Sequence, residues 1–210
     1  MMRIALLGAT GPSGQQVLDQ ALKTGHQVTV LVRDPGRLPQ VGDSRVTVIT
    51  GDATNTEDLK HALSGNDAVI SALGAGKNFK SDIATRATRA FIPAADATGV
   101  RRVVWLSALG SGDTAQQTPA LVNLGVKLLM SKLFADKAVA DDLLRSSDVD
   151  WTLVYPMILT DGPRTGSYKT VDLPSSGKTG SRISRADVAD FMLRAVTAEE
   201  WSHRNIALTR

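Results

Sequence analysis

Gly8-Ala9-Thr10-Gly11-Pro12-Ser13-Gly14 decides the fold. It follows a short apolar run, Arg3 to Leu7, that suits a buried parallel strand. It opens a stretch in which Val17 stands over Ala21 and Leu18 over Leu22, a helical spacing closed by Gly25. In a strand-turn-helix unit of this kind each glycine has a separate reason. Gly8 permits a tight turn, Gly11 has no Cβ to keep a pyrophosphate at a distance, and Gly14 lets the helix pack closely on the sheet. The helix start offers unpaired amides and partial positive charge to phosphates, and Pro12 fits there because its missing N–H is not needed in a first turn. Thr10 and Ser13 complete the expected cradle. The spacing is Gly-x-x-Gly-x-x-Gly rather than Gly-x-Gly-x-x-Gly, so its context carries the argument; the alternative is a turn that binds nothing.

Outward from this unit, strands and helices alternate. Gln27–Val32, Val46–Ile49, Ala68–Ser71, Val103–Leu106 and Trp151–Val154 read as strands. Helical patterns cover Asn55–Leu63 with Thr56 as N-cap, about Ser81–Thr98 with a kink or break at Pro93, and about Val122–Arg145. Such alternation predicts an α/β fold: a doubly wound parallel sheet of the Rossmann type, three layers, in one domain over residues 1–210. Residues 157–182, punctuated by glycine and proline, read as a small loop segment on the acceptor side. Ser184-Arg185-Ala186-Asp187 reads as a capping box opening a last helix, and Asn205–Leu208 as a final edge strand. Ligands in such sheets sit beyond the carboxyl ends of the strands, where strand order reverses.

Composition narrows the function. The 210 residues are 42% hydrophobic and 21% charged, as in ordinary globular proteins, and no apolar run nears the roughly 20 residues that span a bilayer. The N-terminus runs straight into a strand, unlike a signal peptide. With no cysteine, disulfides, thiolate catalysis and Cys-ligated zinc are excluded, which fits a cytoplasmic setting. The three histidines are far apart, so no metal site is expected. A net charge of +3 favours phosphate-bearing ligands, but scattered Lys and Arg and only 4% aromatics argue against nucleic acid. The sequence is compatible with a monomer and with a homodimer.

Strand ends supply the candidate site. NAD sites usually place an acidic residue after the second strand; here stands Arg33, with Arg37 in reach, and a guanidinium suits a ribose 2′-phosphate. NADP(H) is therefore the expected cofactor, with NAD(H) left open; Asp34 is a countervailing charge, and a solvated Arg33 is the other reading. Asp52, beside Ala53 after the third strand, is either an adenine contact or a turn aspartate. Ala72-Leu73-Gly74 is a small-residue corner where backbone runs beside the cofactor. Ser107, followed by Ala108, sits at a strand tip facing the nicotinamide side, or else bonds its own backbone. Lys137 interrupts a stripe of Val126, Met130, Leu133, Ala140 and Leu144, and either bonds cofactor ribose or snorkels to solvent. Tyr155 and Pro156, with Met157 and Ile158, form an apolar shelf for the nicotinamide, or Tyr155 is a core aromatic.

The glycine turn, Ser107, the Asp136-Lys137 helix, Trp151–Pro156 and Ile183-Ser-Arg-Ala-Asp-Val188 together resemble the atypical short-chain dehydrogenases/reductases. The nearest group is NmrA-like and NAD(P)H-binding, and it includes biliverdin reductase B and flavin reductase; the resemblance covers nearly the whole chain. It implies Ser107 and Lys137 as catalytic positions. The superfamily pairs its lysine with a tyrosine four residues before it, and here that residue is Leu133. Alcohol, sugar or epimerase chemistry is thereby disfavoured. What remains is hydride transfer to a planar conjugated small molecule, such as a flavin, quinone or linear tetrapyrrole, that needs little acid from the protein. The competing expectation is a non-catalytic NADP(H) sensor that binds a protein partner.

Overall fold

A computed structural model describes residues 1–76, 78, 81–111, 114, 130–174 and 182–210. Ten strands and five helices follow one another among them. They are β1 (Arg3–Leu7), α1 (Pro12–Lys23), β2 (Gln27–Val32), β3 (Val46–Thr50), α2 (Thr56–Leu63), β4 (Ala68–Ser71), α3 (Ile83–Thr98) and β5 (Arg102–Leu106). After these come α4 (Ser131–Arg145), β6 (Asp150–Pro156), β7 (Ile158–Thr160), β8 (Lys169–Asp172), β9 (Arg182–Ser184), α5 (Arg185–Ala195) and β10 (Arg204–Thr209).

Eight strands form one sheet in the order β3-β2-β1-β4-β5-β6-β10-β8. All neighbours run parallel except β8, which is antiparallel to β10. Alternate residues of each strand feed opposite faces. Ile4 and Leu6 of β1 join α1 and α5 residues such as Val17, Leu18, Val188 and Phe191. Ala5 and Leu7 join Leu59, Phe91, Leu144 and their neighbours from α2, α3 and α4. The result is the expected three-layer, doubly wound Rossmann sheet, with its order reversing between β1 and β4.

Several boundaries differ from the sequence expectation, each for a local reason. Asn55, not Thr56, caps α2: its Oδ1 accepts from the amides of Glu57 (2.9 Å) and Asp58 (3.1 Å). Helix α3 begins at Ile83 and runs unbroken through Pro93. Pro93 lies on the exposed side, as does Arg89, whose carbonyl it leaves unpaired, so water can satisfy that group. β10 is not the edge; it lies between β6 and β8. The edge is β8, drawn from the segment that reads as loop, a four-residue strand with Lys169, Thr170 and Asp172 exposed. Strand β7 also comes from that region, β9 begins at its last residue, and the two pair in parallel as a separate ribbon. Of the helix expected from Val122, residues 122–129 lie outside the described residues, as does Val126 of its stripe.

Candidate functional site

The crest between β1 and β4 is shaped by close backbone approach. Gly8 has φ +84°, and a Cβ there would meet the carbonyl of Ala72 at 2.8 Å and the amide nitrogen of Leu73 at 2.9 Å. The small-residue corner after β4 therefore abuts the glycine turn directly. Gly14 is tighter still: its Cβ would stand 2.0 Å from the oxygen of Gly8. It packs the helix on the turn itself rather than on the sheet. Gly11 differs, since a Cβ there would meet only the Gly8 oxygen at 3.4 Å, an ordinary contact. Gly11 is also the N-cap of α1 and has no side chain to cover the first-turn amides, with Pro12 at the first helical position. An open cradle that backbone alone lines is what a pyrophosphate requires. Thr10 and Gly11 are half-buried at its rim, Pro12 is exposed, and Ser13 is buried.

At the end of β2, Asp34 is engaged in its own turn. Its Oδ1 accepts from the amide of Gly36 at 3.0 Å and caps the short 3-10 turn Pro35–Arg37. Arg33 and Arg37 are exposed, and neither guanidinium forms a hydrogen bond or ion pair with the described residues. Asp52 is engaged locally, with Oδ1 accepting from Thr54 N (2.9 Å) and Thr54 Oγ1 (3.0 Å). The Thr54 amide, aided by the nearby Arg33 and Arg86, holds its carboxyl below the usual range. Ala53 and Ala72 are buried, Leu73 is half-buried, and Gly74 is exposed.

The tip of β5 meets α4 in a buried polar cluster. Ser107 Oγ donates to Asp141 Oδ2 at 2.7 Å. Ser111 Oγ (3.3 Å) and the Tyr155 hydroxyl (3.1 Å) reach the same oxygen. Behind Tyr155, Arg145 Nη2 donates to its hydroxyl at 2.7 Å and to Asn205 Oδ1 at 3.2 Å. Lys137, one helical turn before Asp141, does not snorkel: its Nζ donates to the Leu106 carbonyl at 3.0 Å, and the residue is 8% exposed. Burial pushes the Lys137 ammonium down, against the pull of Asp141 and Asp136. Burial pushes the Asp141 carboxyl up, against the bond from Ser107 and the charge of Lys137. Burial and the neighbouring Asp141 also raise Tyr155. Tyr155 is thus a core aromatic whose side chain is fully buried and whose hydroxyl is engaged. Pro156 is buried, Met157 half-buried and Ile158 51% exposed, so the apolar shelf after β6 consists of Met157 and Ile158.

Ser107, Lys137 and Tyr155 are therefore brought to one cluster, while Asp141, Ser111, Arg145 and Asn205 are members that the sequence reading did not name. The signal for Asp141 was present, since it lies four residues after Lys137 and so on the same helix face. On α5 the sequence names Asp187 only as a member of the capping box, and it does not name Asp190. Ser184 caps the helix as expected, its Oγ accepting from Asp187 N at 2.9 Å. The Asp187 carboxylate then accepts from Thr165 N (2.7 Å), Gly166 N (3.0 Å) and Thr165 Oγ1 (2.9 Å). Asp190 accepts from Tyr168 (2.7 Å) and Arg164 (2.8 Å), so two carboxylates fasten the segment after β7 to α5.

A parallel sheet reversing at β1 and β4, with a side-chain-free cradle at that reversal, defines a Rossmann-fold nucleotide-binding protein. A family model described as NAD(P)H-binding matches residues 8–199, and the chain belongs to that family. It is 28% identical over 229 residues to the uncharacterized protein YwnB of Bacillus subtilis, spanning 99% of this chain and 97% of that one. Among solved structures it resembles a short-chain dehydrogenase/reductase of Veillonella parvula in complex with NADP (TM-score 0.84, 20% identity, 100% and 94% of the two chains). It also resembles ChuY, an anaerobillin reductase from Escherichia coli O157:H7 (TM-score 0.83, 24% identity, 99% and 96%). At these identities the likeness establishes the fold, which is the one the sequence resemblance implied. No helix among the described residues is long and apolar enough to cross a membrane.

Proposed function

We propose that this chain is an NADPH-dependent reductase that passes hydride to a small planar conjugated acceptor of the flavin, quinone or linear tetrapyrrole type. Bound at the crest, the nicotinamide nucleotide supplies the hydride. The residues that hold it are Gly8 to Gly14 at the pyrophosphate, Arg33 and Arg37 at the ribose 2′-phosphate, the Ala72–Gly74 backbone, and Ser107 and Ala108 toward the nicotinamide. Arg33 supports NADPH over NADH because its guanidinium forms no ion pair with the described residues, while the nearby carboxylates Asp34 and Asp52 are engaged by Gly36 and Thr54. Met157 and Ile158 offer an apolar surface for a flat ring system.

One observation carries the choice of acceptor. Leu133, half-buried, occupies the place where the related dehydrogenases carry a proton-transferring tyrosine, and Lys137 turns inward to the Leu106 carbonyl. A ketone or alcohol needs a strong acid or base at its oxygen. A delocalised acceptor spreads the charge of the incoming hydride over its rings, so it takes hydride without a tyrosine at the reacting atom and its proton can follow separately.

Calorimetry with NADPH and NADH, followed by turnover with FMN, riboflavin, menadione and biliverdin, tests the proposal. Tight NADPH binding with turnover of at least one acceptor is expected. Tight binding with no turnover would replace the reductase by a cofactor-sensing protein, and no binding of either nucleotide would remove both.

A further inference from the structure

The missing tyrosine raises the question of where the reduced acceptor finds its proton, and the cluster behind Ser107 offers a source. We propose that Asp141 holds that proton and delivers it through the Ser107 hydroxyl, an inference that rests on the reductase function above.

The geometry supplies the path. Ser107 stands at the tip of β5, at the carboxyl edge of the sheet, and its Oγ lies 2.7 Å from Asp141 Oδ2; with Asp141 neutral, its acid hydroxyl donates to Ser107 Oγ, the reverse of the bond that serves the ionised carboxylate, and the Ser107 O–H is free to turn toward the acceptor. Asp141 is only 2% exposed. Its second oxygen, Oδ1, is buried and finds no partner among the described residues. A carboxylate would leave half of its charge there without a donor; a neutral acid leaves only a carbonyl, which costs far less. The charged and titratable groups around it divide. Lys137 and Arg145 on α4 favour ionisation, while Tyr155 from β6 faces it as a neutral phenol, Ser107 and Ser111 as hydroxyls, and Asn205 from β10 completes the far side through Tyr155. Asp136, also on α4, is committed to the amides of Ala84 and Thr85 in α3. Burial outweighs the two cations, and the carboxyl titrates above its ordinary value. The ammonium of Lys137 is pushed the opposite way by the same burial, so the pair resists separating into two charges.

The step balances. The acceptor gains a hydride and becomes an anion at a ring nitrogen or oxygen. The Ser107 O–H bond breaks as that atom takes its proton, and the Asp141 O–H bond breaks as its proton moves to Ser107 Oγ. Ser107 is regenerated, Asp141 is left as a carboxylate held by Tyr155 and flanked by Lys137 and Arg145, and water entering the emptied cleft returns a proton by the same route. Asp141 is a positioning residue in this scheme, since it reaches the acceptor only through Ser107.

Nuclear magnetic resonance of the cofactor-free protein, carrying carboxyl-labelled aspartate and assigned with Asp141→Asn, tests the state of the group without any turnover. An Asp141 signal that titrates well above the other aspartates is expected; one that titrates among them overturns the proposal. Asn mimics a neutral acid in shape, so Asp141→Asn is expected to fold with unchanged or higher thermal stability at neutral pH and to keep its NADPH affinity. With menadione as acceptor, the variant should lose about a hundredfold in kcat. Ser107→Ala should lose as much, and the double variant no more than either. The wild-type kcat should fall as pH rises through the Asp141 titration and show a solvent deuterium isotope effect, both absent from the variant. If the variant keeps the wild-type kcat, pH profile and isotope effect, Asp141 is not the donor although the reductase stands. A wild type that binds NADPH and reduces no acceptor overturns the reductase itself.

Discussion

Asp136 and Thr85 clasp each other across two helices. The Asp136 Oδ1 accepts from the amide of Thr85 at 2.8 Å, and the Thr85 hydroxyl donates back to the Asp136 carbonyl at 3.0 Å. The second carboxylate oxygen accepts from Ala84 N at 2.9 Å. The residue in the N-cap position of α3, Asp82, makes no capping bond of its own, so α4 supplies the cap that the local sequence lacks. Asp136→Ala should cost about 1–3 kcal/mol, at the upper end of a cap because the amides are partly buried. Urea unfolding would measure it, with NADPH affinity nearly unchanged in the folded fraction.

The glycines of the turn should separate by experiment. Gly14→Ala puts a methyl 2.0 Å from a backbone oxygen, so the helix must shift. A loss of about 1–3 kcal/mol in stability is expected together with lost cofactor binding. Gly11→Ala fits the fold, since its nearest contact is 3.4 Å and its φ of −83° suits any residue. It should bind NADPH poorly while melting like the wild type. Equal melting temperatures for both variants would refute the distinction.

Arg33→Ala should weaken NADPH by about 1.5–3 kcal/mol, the worth of hydrogen bonds to a charged group, and leave NADH unchanged. Parallel titrations with the two nucleotides decide it: equal losses would place Arg33 elsewhere than at the 2′-phosphate.

Asp187 gives the protein an acid-sensitive fastening. Its burial raises the carboxyl, but the amides of Thr165 and Gly166 and the hydroxyls of Thr165 and Ser184 outweigh this, and the net shift is downward. A carboxylate depressed in the fold contributes stability that is complete above the ordinary value of about 3.9 and is lost as pH falls through the lower folded value. Asp187→Asn should therefore destabilise at neutral pH by about 1.5–3 kcal/mol and show a shallower loss below pH about 4 than the wild type. Parallel acid-unfolding curves for the two proteins would contradict this.

The sequence revealed what short-range patterns control. β1, the glycine turn, α1 and the β4 corner were legible because apolar spacing and glycine chemistry act within a few residues. β8 was not, because Lys169-Thr170-Val171-Asp172 carries little apolar signal and becomes a strand only when β10 offers its free edge. That pairing in turn removed β10 from the edge where Asn205–Leu208 had been expected. In the site, Ser107 and Lys137 were legible from their places at a strand tip and in an apolar stripe. Asp141 was not named because an aspartate on a helix ordinarily faces water. Its burial depends on Ser107 and Tyr155 arriving from two different strands.

The tie between α5 and the segment after β7 has an evolutionary consequence. Residues 164–168 are held by the side chains of Asp187 and Asp190, whereas the neighbouring scaffold is held by main-chain ladders and packed apolar faces. A stretch moored by two carboxylates can be lengthened, shortened or exchanged between descendants as long as its moorings survive. Such a stretch can change in length and sequence without disturbing the parallel sheet or the glycine turn that opens it.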